Sequence, residues 1–448
     1  MGPGDCQNRH GFERSCNCAV ETGIDSFFRE RQDIVLTLEE IVENGLCIGC
    51  GLCRGIAGGD QISLVMTPEG RERPVAKQPL QEAVLERINA VCPGTRIPGA
   101  ASANGSQPPI FDTVWGSAHH LAIGYAGDPA TRYRSSTGGI LTALGQFLLQ
   151  SNRVKFVLHV SASKTQPMRS ERRLSFDVAS VLEGAGSRYG PAAPLVDFND
   201  ILDRQEPFAL IAKPCDIGAV RNLARLDPRV DQYMRYALTL VCGGASDLSK
   251  SEDVLDRFGV TEDELSLFRY RGNGNPGLTR IETKDGRAFE LTYQEMWEEE
   301  AKWMIQPRCK ICPDAIGESA DLAASDVWPG GGPTGDDAGF NGIIVRTERG
   351  RELFEAACAA GAITVDRQVG FADFDVFQPH QVRKKRAVWG RLKGMEAAGK
   401  PIPAVHDLRL AECARQNTVK QNLAEARGAR VRAKSGRLGE PPAVPRQA

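Results

Sequence analysis

Cys47-Ile-Gly-Cys50-Gly-Leu-Cys53 sets three thiols at two-residue intervals, and Cys92-Pro93 follows thirty-nine residues on. This spacing constrains the chain more than any other feature. Two-residue intervals let thiolates of one tight loop converge on the corners of an iron–sulfur cubane. Gly49 and Gly51 let the backbone approach and present N–H groups to sulfur. A second C-x2-C-x2-C run is absent, so Cys92 completes the same set. Zinc sites usually show two separated C-x2-C pairs instead of a triplet. The pattern therefore predicts a [4Fe–4S] cluster on Cys47, Cys50, Cys53 and Cys92. The whole chain has 13 cysteines, an odd number that fits poorly with a disulfide framework.

A second set is dispersed: Cys215 in KPCDIGA, Cys242 in LVCGG, and Cys309-Lys-Ile-Cys312. Cys215 and Cys242 each follow an apolar strand-like run and precede a turn. That places both thiols at one end of a parallel sheet, where α/β proteins carry their chemistry. Spacing alone leaves zinc and iron–sulfur both open for these four, with buried structural cysteines as the plainer alternative. Cys6, Cys16 and Cys18 read as thiols of an unstructured arm, and Cys358 and Cys413 as core or surface thiols.

Along the chain, 1–33 is a polar arm and 34–44 has helical apolar spacing. A Pro/Gly/Ser-rich stretch, 93–110, reads as a linker and domain boundary. From 117 to 240 strand-like and helix-like runs alternate, which predicts α/β architecture. Residues 279–293 read as a hairpin around Asp285-Gly286. The segment 361–405 has no clear assignment. From 415 the tail holds eight Lys/Arg against two Glu, and its Gly/Pro content predicts a disordered, solvated basic segment. The net charge of −2 gives no whole-chain reason to expect nucleic acid as a partner. No apolar run is long enough to span a bilayer, and the N-terminus lacks a signal-peptide core, so a cytoplasmic protein is expected.

Arg132-Tyr-Arg134-Ser135-Ser136-Thr137-Gly138-Gly139 leads into an apolar helix. Such a stretch is either ordinary N-capping or an anion site built from hydroxyls, backbone N–H groups and guanidinium forks. It is neither a P-loop nor a Rossmann fingerprint. Gly184-Ala-Gly186-Ser187-Arg188-Tyr189-Gly190 runs into a proline, so it too fails as a dinucleotide fingerprint. Ser187, Arg188 and Tyr189 remain candidate ligand contacts.

These pieces together resemble the coenzyme F420 hydrogenase/dehydrogenase beta-subunit family: RYRSSTGGILTAL, GSRYGP, AKPCDIGAVR, LVCGG and RCKICPDAIGESADLAASDVW. The resemblance covers roughly 115–345. The fused N-terminal cysteine run is similar to the family's stand-alone reductases, the 7-hydroxymethyl chlorophyll a reductase and divinyl chlorophyllide reductase group. Where much of the family has Thr-Pro-Cys, this chain has Lys213-Pro214-Cys215. The resemblance implies an α/β (α+β) flavin-binding core holding FAD, with the SSTGG loop near its phosphates. It also implies that Cys215, Cys242, Cys309 and Cys312 ligate a second [4Fe–4S] cluster, with Arg134, Arg188 and Lys213 as polar groups near the flavin. Lys213 and Arg188 are the catalytic candidates.

The implied domains are a ferredoxin-like module at 34–100, an FAD domain at 111–200, a cluster-bearing domain at 201–405 and the basic tail at 415–448. The expected function is an iron–sulfur flavoprotein oxidoreductase, fed by a ferredoxin-like one-electron carrier and reducing an organic substrate. The alternative is an electron-transfer beta subunit of a larger hydrogenase or dehydrogenase, oxidising or reducing coenzyme F420. A homodimer is the commonest assembly for such a chain.

Overall fold

The computed structural model of the chain describes residues 35–99, 109–297, 305–335 and 337–446. The arm at 1–33, with Cys6, Cys16 and Cys18, lies outside them. Helix α1 (Leu38–Glu43) begins where Thr37 and Glu40 satisfy each other's backbone N–H groups, and it turns Leu38, Ile41 and Val42 inward. That cap explains why the helix starts later than apolar spacing alone implies. Helix α2 (Leu52–Ala57) follows the cysteine run. Strands β1 (Ile62–Met66) and β2 (Glu72–Ala76) then form an antiparallel pair. Helix α3 (Glu82–Val91) ends with Cys92 at its C-cap.

The remainder is built on one eight-stranded mixed sheet. Its strands are β3 (His120–Ala126), β4 (Phe156–Ala162), β5 (Ser170–Ser175), β6 (Phe208–Ala212) and β7 (Met234–Leu240). A separate three-stranded antiparallel sheet follows, made of β8 (Leu265–Arg269), β9 (Thr279–Thr283) and β10 (Ala288–Leu291). The last two are the hairpin expected around Asp285-Gly286. The large sheet is completed by β11 (Leu322–Asp326), β12 (Asn341–Val345) and β13 (Ile363–Gln368). Its order is β13-β3-β12-β11-β7-β6-β4-β5. The four strands β11, β7, β6 and β4 run parallel, with antiparallel strands on either side.

Both faces of the parallel centre are covered, so its strands are largely apolar. In β6, Phe208, Leu210 and Ala212 face one core with Cys50, Ile217 and Val220, while Ala209 packs in the other with Ile140, Leu144 and Leu353. Helix α4 (Pro129–Arg134) and helix α5 (Ile140–Gln150) flank the SSTGG loop. Helix α6 (Pro214–Ala224) follows β6, and the one-turn helix α7 (Pro307–Lys310) carries Cys309. Helix α8 (Glu348–Ala359) supplies Leu353 to the second core.

The unassigned stretch at 361–405 resolves into β13, a short helix at Phe371–Phe377 and the long helix α9 (Pro379–Glu396). The tail differs from expectation. Instead of a disordered segment, it forms helix α10 (Val419–Lys434) against α9. Gly390 and Gly394 permit this close crossing: a Cβ on Gly394 would stand 2.1 Å from the Ala426 carbonyl oxygen. The tail's small residues are a packing face, with Ala429 and Ala433 buried. Among the described residues no helix is long and apolar enough to cross a membrane.

Candidate functional site

Cys47, Cys50, Cys53 and Cys92 line one apolar pocket, closed by Leu38, Ile41, Ile48, Leu52, Ile88 and Val91. The loop is folded to aim N–H groups at sulfur. Gly49 donates to Cys47 Sγ at 3.3 Å and Gly94 donates to Cys92 Sγ at 3.3 Å. Gly49 and Gly51 have φ of +73° and +86°, and a Cβ on Gly49 would stand 2.3 Å from the Glu72 carbonyl oxygen. Only glycine fits such a crowded left-handed position. Burial pushes the Cys47 thiol up to about 11, with Cys92 adding to the effect and Arg73 opposing it. Among the described residues no three His, Cys, Asp or Glu side chains are placed to hold a single metal ion. The thiols stand around a pocket, so the donor set fits a multi-atom cluster better than one zinc.

In the second set, Cys215 and Cys242 follow neighbouring strands. Strands β6 and β7 are parallel neighbours, with Ala212 beside Thr239, so Cys215 and Cys242 leave the sheet at the same end. Cys242 interacts electrostatically with Cys309 and Cys312, and Cys215 with Cys242 and Cys312. Ala245 N–H donates to Cys309 Sγ at 3.4 Å. Burial pushes the Cys242 thiol up to about 12, with Cys309 adding to the effect. Four thiols and an aimed N–H fit a second cluster in the same sense.

The two sets abut. Cys50, Cys309 and Cys215 share one apolar core with Ala212, Ile217 and Ala245. Arg308, next to Cys309, donates through Nε and Nη2 to the carbonyl of Pro93, next to Cys92, at 3.1 and 2.8 Å. Asp216, fully buried, pairs with Lys213 at 2.8 Å, and its charge acts on both Cys50 and Cys215. The Lys213 ammonium is thus committed to Asp216, between the two sets. Burial opposes its charge, but Asp216 and Cys215 hold it above the ordinary lysine value.

The SSTGG loop is buried at Ser135, Ser136 and Thr137 and tied to its neighbours. Ser135 donates to the Thr131 carbonyl at 2.8 Å. Ser136 Oγ accepts from Ser187 N–H at 2.7 Å, and Thr137 Oγ1 accepts from Asn341 Nδ2 at 2.6 Å. The Ser136 and Thr137 hydroxyls each keep a proton to donate. Gly138 packs where a Cβ would meet Asn341 N at 2.6 Å, and Gly139, at φ +79°, opens α5. Arg132 is not a free anion fork. It donates to the Gly339 carbonyl and stacks over Tyr125 at 3.6 Å. Arg134 is exposed.

The Arg188 guanidinium, a catalytic candidate by sequence, has its donors taken up by the protein itself. Its donors go to Ser170 Oγ and to the carbonyls of Phe268, Pro167, Met168 and Arg169 at 2.8–3.1 Å, which makes it a staple between loops. Arg271, which no sequence motif marks, takes the more central place. It donates to the Ser136 carbonyl at 2.8 Å and to Tyr189 Oη at 3.1 Å, pairs with Asp326 at 3.2 Å and lies over Trp328. Tyr293, also under this guanidinium, lines an open cavity of about 690 Å³ with Pro276, Gly277, Trp297, Gly331 and Thr334. That volume is in the range of small-molecule sites.

The same segments match known proteins. Residues 122–198 match the family described as coenzyme F420 hydrogenase/dehydrogenase, beta subunit N-term, and residues 205–369 match the family described for the C terminus of that beta subunit. The F420-dependent formate dehydrogenase subunit beta of Methanocaldococcus jannaschii is 26% identical over 52% of this chain and 58% of the relative. The coenzyme F420-dependent sulfite reductase of the same organism is 22% identical over 71% of this chain and 47% of the relative. The chain thus spans roughly half the length of the curated relatives it matches. A chain of the F420-reducing [NiFe] hydrogenase complex from Methanosarcina barkeri shares the fold, with TM-score 0.50 and 18% identity over 63% of this chain and 95% of that one. The part of this protein from 122 to 369, which holds the second cysteine set and the SSTGG loop, belongs to the coenzyme F420 hydrogenase/dehydrogenase beta-subunit family.

Proposed function

We propose that this protein is an electron-transfer oxidoreductase of the F420 beta-subunit type, exchanging electrons between a one-electron carrier and a hydride carrier such as F420. The observation that carries the reading is the approach of two four-cysteine sets, which share one apolar core through Cys50, Cys215 and Cys309, within and beside the family segment. The assigned groups are two [4Fe–4S] clusters, on Cys47/Cys50/Cys53/Cys92 and on Cys215/Cys242/Cys309/Cys312, and one FAD. Iron–sulfur clusters exchange single electrons and a flavin exchanges a hydride, so the set converts one currency into the other.

The chain's own residues supply binding and environment. N–H groups of Gly49, Gly94 and Ala245 point at thiolate sulfurs, and Ile48, Leu52, Val91 and Ile217 exclude water between the sets. Ser136 and Thr137 offer hydroxyl protons to a phosphate, and Arg271 fixes that loop to the wall of the open cavity. The proposed domains are the ferredoxin-like module at 34–100, the FAD domain at 111–200 and the cluster-bearing domain at 201–405.

A second reading, a stand-alone reductase of an organic substrate like the chlorophyll-reductase group, rests on one observation. The first cysteine set is built into this chain, so no partner need carry it. The test is anaerobic turnover of the loaded protein with reduced F420 and a viologen dye. Dye reduction dependent on F420 supports the beta-subunit reading. A fully loaded protein inert with F420 but active from reduced ferredoxin to an organic acceptor would replace it with the second.

A further inference from the structure

Arg73 is completely buried, yet it carries a full charge into the seam between the cysteine sets. On one side its Nη1 lies 3.3 Å from where a Gly49 Cβ would stand, inside the loop between Cys47 and Cys50. On the other, Nη2 donates at 2.9 Å to Oε1 of Gln306, which precedes α7 and whose carbonyl accepts from Cys309 N–H at 2.9 Å. Nη1 also donates to the Glu72 carbonyl at 2.8 Å. Its electrostatic partners include Cys47 from the first set and Cys309 from the second.

The counter-charge comes from the far end of the chain. Glu440, with 3% of its side chain exposed, accepts from Arg73 Nε at 2.7 Å and Nη2 at 2.8 Å. Arg71 lies 3.5 Å from the same carboxylate and 3.3 Å from Asp247. The segment delivering Glu440 is fastened on both sides. Leu438 is buried, its carbonyl lies where a Gly45 Cβ would stand, and Glu440 N–H donates to the Glu43 carbonyl at 3.0 Å. Arg73 favours the Cys47 thiolate and Glu440 opposes it. Both residues lie outside the family segment at 122–369.

From this geometry we infer that Arg73 and Glu440 form a charge couple that sets the reduction potentials of the two cysteine-bound centres, with the C-terminal segment acting as the neutralising arm. The inference rests on the two-cluster reading. A cation in a low-dielectric seam stabilises added electrons on either side, and a paired carboxylate cancels much of that field. Arg73 is therefore a positioning residue for the field, not a catalytic one. The first set, whose loop the guanidinium touches, should feel it more than the second.

The test is a redox titration of the full-length holoprotein followed by electron paramagnetic resonance. Glu440→Gln, which keeps size and hydrogen bonding, should shift the first centre to higher potential and the second by less. Arg73→Gln should shift the first centre down, and the double variant should return it towards the parent value. Unchanged potentials in Glu440→Gln, or shifts of the same sign in both single variants, overturn the inference. So does loss of iron from Glu440→Gln, which would make the pair a structural staple. Failure of the two-cluster reading itself shows separately, as a parent protein lacking two four-iron centres before any variant is compared.

Discussion

Lys385→Met perturbs a charge cluster directly behind the second cysteine set. Glu318, with 1% of its side chain exposed, accepts from Lys385 Nζ at 2.6 Å and also pairs with Arg409. Lys385 is 3% exposed and gives a second bond, 2.7 Å, to the carbonyl of Pro313, the residue after Cys312. At an effective dielectric constant near 20, a pair at that separation is worth about 6 kcal/mol of Coulomb energy. Removing the ammonium also removes its desolvation cost, and Arg409 still compensates Glu318. The net loss should fall near the low end of the range for breaking a buried pair, about 3 kcal/mol. The assay is urea denaturation of the holoprotein followed by circular dichroism. Lys385→Met/Glu318→Gln should recover at least about half of the loss, because the Glu318 carboxylate, which Arg409 alone compensates only in part, is then gone and no longer disfavours the charge of buried Asp314. Arg409, 18% exposed, can still be solvated. A loss below about 1 kcal/mol in the single variant would refute the argument, since the pair would then behave as a solvated one.

Two further outcomes follow from the geometry. Gly49→Ala must place a Cβ 2.3 Å from the Glu72 carbonyl oxygen at a φ of +73°. It should lose about half the bound iron while Cys215, Cys242, Cys309 and Cys312 keep theirs, and unchanged iron content would sink this account of the loop. His159 is buried at 2.8 Å from Ser175 Oγ, and burial, aided by Arg173, pushes its pKa down to about 4. The unfolded chain takes up this proton first, near pH 6.5, so stability is intact above that pH and falls as pH drops towards 4, by up to about 3 kcal/mol. His159→Gln should flatten that part of the stability–pH profile, and a curve parallel to the parent would exclude the histidine as its source.

Much of the site can be read from local pattern. FALIA and YALTL are apolar at almost every position because both faces of the sheet are covered, and each ends at a cysteine turn. Adjacency of Cys215 and Cys242 follows once those strands are parallel neighbours. The 47–53 run needs no tertiary information to define a shared loop. Pairings that depend on distant chain are not legible. Arg73 in RERPVA reads as surface charge until Glu440, 367 residues away, is brought against it. Arg188 sits in a glycine-rich stretch that resembles a ligand loop, but its partners are mostly main-chain carbonyls, which no side-chain pattern reveals. The tail's Gly and Pro content counts towards disorder by composition, whereas Ala426 and Ala429 opposite Gly390 and Gly394 allow two helices to meet.

The account depends on each four-thiol set holding its own cluster beside a flavin. The decisive measurement is iron, acid-labile sulfide and flavin analysis of one anaerobically purified sample. About eight iron, eight sulfide and one FAD per chain is the predicted result. About four iron would mean that one cysteine set has another role, and zinc without flavin would contradict the account outright.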